Sequence, residues 1–208
     1  MKFERTQDSF YSHTETFGLG NYQGNAFTTG CSPNAQEYPK CHAKTEIFDM
    51  SEMVWYSDMR PSVTFQSPSD YPFIGDDSSE KGIYHYSTTN TADAVYIIGG
   101  HVTGHIVAEF RDYQWKHVAD LKQGRSRHGS IAFGDQTIII GGHSDVRGDL
   151  STELWDFQTG YSRTIEPTLP VYGGYSNGIG LYFVDANFGS KCNSDSDNLG
   201  DSFFGPWG

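Results

Sequence analysis

Short apolar runs bounded by glycine or polar turn residues recur along the chain. Ala94-Val95-Tyr96-Ile97-Ile98 stops at Gly99-Gly100-His101, and Thr137-Ile138-Ile139-Ile140 stops at Gly141-Gly142-His143. β-Branched and aromatic side chains fit a pleated, half-buried surface, and glycine reaches positive φ without steric cost. Each run therefore predicts a buried strand that ends at a sharp turn. The pattern then switches to alternation. Val107-Ala108-Glu109-Phe110 is followed by Tyr113-Gln114-Trp115, and Thr152-Glu153-Leu154-Trp155-Asp156-Phe157 is followed by Tyr161. No stretch carries a convincing helical period. Ile106 to Leu121 comes nearest, and its pattern predicts two short strands instead. The expectation is an all-β chain.

The two glycine pairs lie 42 residues apart, which makes the pattern a repeat. An earlier copy is visible. Asn25-Ala26-Phe27-Thr28-Thr29 leads to Gly30-Cys31, with the cysteine standing where the second glycine belongs. Thr45-Glu46-Ile47-Phe48-Asp49 then parallels Thr152 to Asp156, and Val54-Trp55 follows. A partial fourth copy starts near Tyr172. There Gly180-Leu181-Tyr182-Phe183-Val184 supplies a strand and Asp185-Ala186 replaces the glycines. The pattern divides the chain into an N-terminal segment (1–19), repeats over 20–189, and an acidic tail (190–208) whose composition predicts flexibility. Residues 61–82, rich in Ser, Pro and Asp, read as a long surface insertion.

A hydrophobic strand, a glycine pair, an aromatic, and a Trp or Tyr shortly beyond it resemble the kelch repeat, whose period is roughly 50 residues. Arg125 to Ser130 resembles the lead into a blade's innermost strand in that family. The resemblance covers residues from about 20 to 186. It implies a β-propeller of four-stranded antiparallel blades, here an incomplete ring, since propellers close with four to eight blades. It also implies that Phe48 with Trp55, Phe110 with Trp115, and Trp155 with Tyr161 pack between blades. Open end blades would favour self-association.

Charge narrows the partners. The formal net charge is −12, and the 14 Lys and Arg are scattered. Nucleic acid and anionic membranes both select clustered basic residues, so neither is expected as a partner. No apolar run is long enough for a spanning helix, and the N-terminus lacks the apolar core of a signal peptide. An intracellular chain is the expectation. The three cysteines, Cys31, Cys41 and Cys192, close no framework. They read as reduced thiols in preference to a Cys31–Cys41 bridge. No Asn-x-Ser/Thr sequon occurs.

Candidate chemistry is sparse. His101 and His143 each follow a glycine pair, so repeat symmetry sets them on one rim, with His105 nearby. They stand either as a binding or metal-holding pair or as a loop residue copied by duplication. Arg125, Arg127 and His128 form the one basic patch, suited to strand-lead structure or to an acidic partner. Arg147 lies in the loop after the second glycine pair. Asp195 to Gly200 begins like a calcium loop. However, Leu199 occupies its fifth position, and Pro206 stands where the bidentate Glu is required. No phosphate loop or dinucleotide fingerprint occurs. The expectation is a non-enzymatic module without a cofactor. It would bind a protein partner through rim loops carrying His101, His105, His143, Arg147, Arg125 and Arg127. The alternative is a fragment of a propeller enzyme such as a copper-radical oxidase, which needs converging Tyr and His ligands and a Cys–Tyr crosslink. No such set can be assigned in the sequence.

Overall fold

A computed structural model describes residues 8–11, 13, 19–31, 43–58, 66–73, 83–144 and 152–165. Among these are twelve strands and no helix. The first sheet holds β1 (Gly20–Tyr22), β2 (Asn25–Thr29), β3 (Thr45–Asp49) and β4 (Val54–Tyr56). The second holds β5 (Ser87–Asn90), β6 (Val95–Ile98), β7 (Ile106–Arg111) and β8 (Gln114–Asp120). The third holds β9 (Gly129–Phe133), β10 (Gln136–Ile140), β11 (Thr152–Asp156) and β12 (Ser162–Ile165). Each is an open four-stranded meander in sequence order, antiparallel throughout. The all-β expectation holds, and Ile106 to Leu121 does divide into two strands.

The turns follow from their residues. Gln23-Gly24 (φ 52° and 85°) and Asp112-Tyr113 (φ 49° and 61°) close two-residue hairpins with both central residues left-handed, the geometry that matches strand twist. The β3–β4 and β11–β12 turns share another solution. Asp49 accepts hydrogen bonds from the Ser51 and Glu52 amides, and Asp156 accepts them from the Gln158 and Thr159 amides. The Ser51 hydroxyl foremost at Asp49, the Thr159 amide foremost at Asp156, and the other bonds after them hold both carboxylates below the usual Asp range.

The sheets stack face to face. Phe27 and Ile47 of the first sheet meet Val95, Ile97, Ala108 and Phe110 of the second in one buried cluster. Tyr96, Ile98 and Val107, on the opposite face of the second sheet, meet Ile139 and Trp155 of the third. This position between two sheets explains why β6 is apolar at all four positions instead of alternating. The first strands lie side by side, β1 against β5 and β5 against β9. Thr88 Oγ1 donates to Leu19 O, and Ser130 Oγ donates to Thr88 O, each at 3.1 Å.

The glycine pairs do more than turn the chain. Gly99 and Gly142 have φ of 60° and 97°. A Cβ on Gly99 would lie 2.4 Å from Arg125 O, and one on Gly142 would lie 2.5 Å from Ser126 O. Gly30 meets the Ile83 carbonyl in the same way, at 2.4 Å. The obstacle is thus the segment leading into a sheet. The first glycine of a pair abuts the next sheet's lead-in, and the second abuts its own.

Three expectations need correction. Tyr161 does not pack on Trp155. It is 61% exposed, and Trp155 packs instead on Phe157 and on Tyr96 across the sheet junction. Phe157 is near enough in sequence to take the role assigned to the later ring. The insertion is not wholly a surface loop. Tyr71 is buried against Trp115 at 4.8 Å, and the Tyr71 amide donates to Ala43 O. Cys31 is not a reduced thiol but is disulfide-bonded, in a fully buried position beside Tyr11. Phe10, Tyr11 and His13 of the N-terminal segment all bond to Glu46 of β3. The fourth copy near Tyr172, the Asp195 loop and the 190–208 tail lie outside the described residues.

Candidate functional site

A buried carboxylate organises the lead-in of two of the sheets. Glu153 accepts the Lys122 and Gln123 amides at 3.0 and 3.2 Å, the Arg125 guanidinium at 2.5 Å and the Ser162 hydroxyl at 2.7 Å. Arg125 also donates to Gly141 O at 3.3 Å. In the first sheet Glu46 accepts the Phe10 and Tyr11 amides, while His13 joins Glu46 to Gly30 O. The partners correspond one for one: Glu46 with Glu153, His13 with Arg125, Gly30 with Gly141. In the second sheet Ala108 stands at the carboxylate position and Ile83 at the cation position, both fully buried. The charged pair has there been replaced by an apolar one. The sequence did not reveal this clamp, because its members lie 28 to 33 residues apart and matter only once the register is known. The repeated Thr-Glu at Thr45 and Thr152 was the available signal.

The Arg125 clamp supports a cleft of about 200 Å³. His101, His105, His143, Arg125, Ser126 and Gly124 contribute to its lining. His101 and His143 follow equivalent glycine pairs, and both line this cleft. The His101 amide donates to Tyr84 O, the His143 amide donates to Ser126 O, and both side chains are exposed. The His101 ring rests 4.9 Å from that of Tyr84. His105 lies over Gly124, where a Cβ would come within 2.8 Å of the imidazole. The Arg125 guanidinium is fully buried on Glu153, so it builds the cleft wall and offers no charge to solvent. Burial draws it below the ordinary Arg range, with Glu153 opposing. Arg127 is not in the cleft lining. Its backbone is left-handed at φ 54°, as His85 is at 59°, and its Nε meets His85 Nδ1 at 3.2 Å. Arg147 lies outside the described residues.

His128 sits behind this wall, buried, with Nε2 2.7 Å from Ser87 Oγ. Burial, and then the Arg125 charge, push its pKa down to about 3. The bond to Ser87 joins the lead-in of β9 to β5. Among the described residues no group of three His, Cys, Asp or Glu is placed to hold a metal ion. No described helix is long and apolar enough to cross a membrane.

Comparison with models of known protein families and with curated protein sequences returns no match.

Proposed function

We propose that the chain is a kelch-type β-propeller scaffold, an incomplete ring, that binds a protein partner at its glycine-turn rim. Four features support the propeller reading. They are the sequential meanders, the face-to-face stacking, the neighbouring first strands and the glycine turns held against lead-in segments. This arrangement is what radial blades require.

The observation that carries the binding reading is the cleft that unites exposed imidazoles from two consecutive sheets. A rigid core fixes both turns, and loops fixed in this way carry recognition at little ordering cost. Imidazoles offer ring faces for packing and nitrogens for hydrogen bonds near neutral pH. The reading assigns the cleft no catalysis and no cofactor.

The test is parallel capture from the native source with the parent chain and with a variant carrying His101→Ala, His105→Ala and His143→Ala. All three side chains are exposed, so the fold is expected to survive. A partner retained by the parent and depleted about tenfold or more by the variant, a loss of about 1.4 kcal/mol, is the expected result. Equal retention of every partner would contradict it.

A further inference from the structure

The two sheet junctions use the same positions for different chemistry. At the first junction Phe27, Ile47 and Phe110 meet, all fully buried and apolar. At the second, the equivalent positions carry Tyr96, Glu109 and Trp155. The packing is preserved, since Phe27 and Phe110 ring centroids lie 5.0 Å apart and those of Tyr96 and Trp155 lie 5.1 Å apart. Yet each of the three positions has gained a hydrogen-bonding group: a hydroxyl, a carboxylate and an indole N–H. Burying such groups is costly unless they are satisfied.

They are only partly satisfied by the protein. The Tyr96 hydroxyl and Arg111 Nε both donate to Glu109 Oε1, at 3.0 and 2.8 Å. Both bonds fall on the same oxygen. The Trp155 indole N–H is buried with no acceptor, whereas Trp115, on the first junction, donates its N–H to Thr45 Oγ1 at 3.1 Å. Beside these groups opens a cleft of about 260 Å³, lined by Tyr96, Glu109, Trp155, Phe157, Lys116 and Gln158 among others. Phe157 closes a three-ring cluster, 4.9 Å from Tyr96 and 5.1 Å from Trp155.

We propose that this junction is a binding site for a neutral polyhydroxylated ligand of monosaccharide size. A sugar hydroxyl both accepts and donates, so it can take the indole proton and give its own to Glu109 Oε2. The weakly polar C–H face of a sugar ring suits the partly exposed Phe157 ring. Gln158 and Lys116 at the rim offer further donors. The volume lies just below the range of roughly 300–1,000 Å³ that holds drug-sized ligands. The site shares no lining residue with the histidine cleft and does not depend on the rim reading.

The test is an indole 15N–1H titration of the full chain with glucose, galactose, mannose and N-acetylglucosamine in turn. Each is taken to about 50 mM, enough to show millimolar binding. The Trp155 resonance is assigned by its loss in Trp155→Phe, or by its ring contacts to Tyr96 should that variant fail to fold. The proposal expects at least one sugar to shift the Trp155 resonance saturably and leave that of Trp115 in place. It expects Glu109→Gln, checked for an unchanged fold by its amide spectrum, to weaken binding about tenfold. No saturable shift with any sugar, or identical shifts at Trp155 and Trp115, would overturn it and assign the indole proton to a buried water.

Discussion

At Met53 the backbone adopts a φ of 58°, in a turn whose counterpart in the third sheet carries Gly160 at 67°. The left-handed region costs a side chain with a Cβ, and Met53 is 46% exposed, so its packing contributes little. Met53→Gly is expected to stabilise the fold by about 0.5–1 kcal/mol after the greater flexibility of unfolded glycine is counted. Urea denaturation measures this, and a loss of stability would contradict the turn equivalence. His128 gives a pH signature. Its folded pKa of about 3 lies below its ordinary value near 6.5, so the unfolded chain binds the proton more readily. Stability is fully present above pH 6.5 and falls as pH drops toward 3. Between pH 7.5 and 4.5 this residue accounts for a loss of about 2–3 kcal/mol. His128→Asn should remove that part of the slope; an unchanged slope would show that His128 is not buried neutral. The cysteines give a third check. Because Cys31 is bonded, thiol titration of the denatured, unreduced chain should find one free thiol of the three, and three would contradict the bond.

Elements are held by the carboxylate clamp, and its energetics follow from burial. Glu153→Ala leaves the Arg125 cation and the Lys122 and Gln123 amides without their acceptor, so a loss of about 3–5 kcal/mol is expected. The second sheet already shows an apolar alternative in Ile83 and Ala108. Arg125→Ile combined with Glu153→Ala should therefore cost less than the sum of the single changes, by about 1–3 kcal/mol in a double-mutant cycle. Strict additivity would show that Arg125 and Glu153 are not a coupled pair. At this scale the sequence was informative in a selective way. Strands β6 and β10 and their glycine turns were legible, because β-branched runs and paired glycines are local signals. The clamp was not, because Glu46 and His13 are joined by folding and not by spacing. Nor was the burial of Tyr71 legible, since it sits in a Ser- and Pro-rich stretch whose composition points to solvent. Repeat position set His101 and His143 at equivalent turns, but nothing local distinguished the buried Arg125, paired with Glu153, from a charge offered to a partner.

For the molecule as a whole, stacking turns a weak repeat into a core. Each meander buries one face only against a neighbour, so the second sheet, covered on both sides, carries the most apolar strand. The same stacking gives corresponding positions different uses: an apolar seal at Phe27–Phe110, and hydrogen-bonding groups beside a cleft at Tyr96–Trp155. That difference could not be seen in the sequence until Tyr96 and Phe27 were known to occupy equivalent places. The most direct test of this architecture is a proton NOE spectrum of the folded chain. The stacked arrangement predicts ring-to-ring cross-peaks between Phe27 and Phe110 and between Tyr96 and Trp155, whose centroids lie 5.0 and 5.1 Å apart. Absence of both pairs, or backbone cross-peaks joining β2 directly to β6 as strands of one continuous sheet, would contradict it.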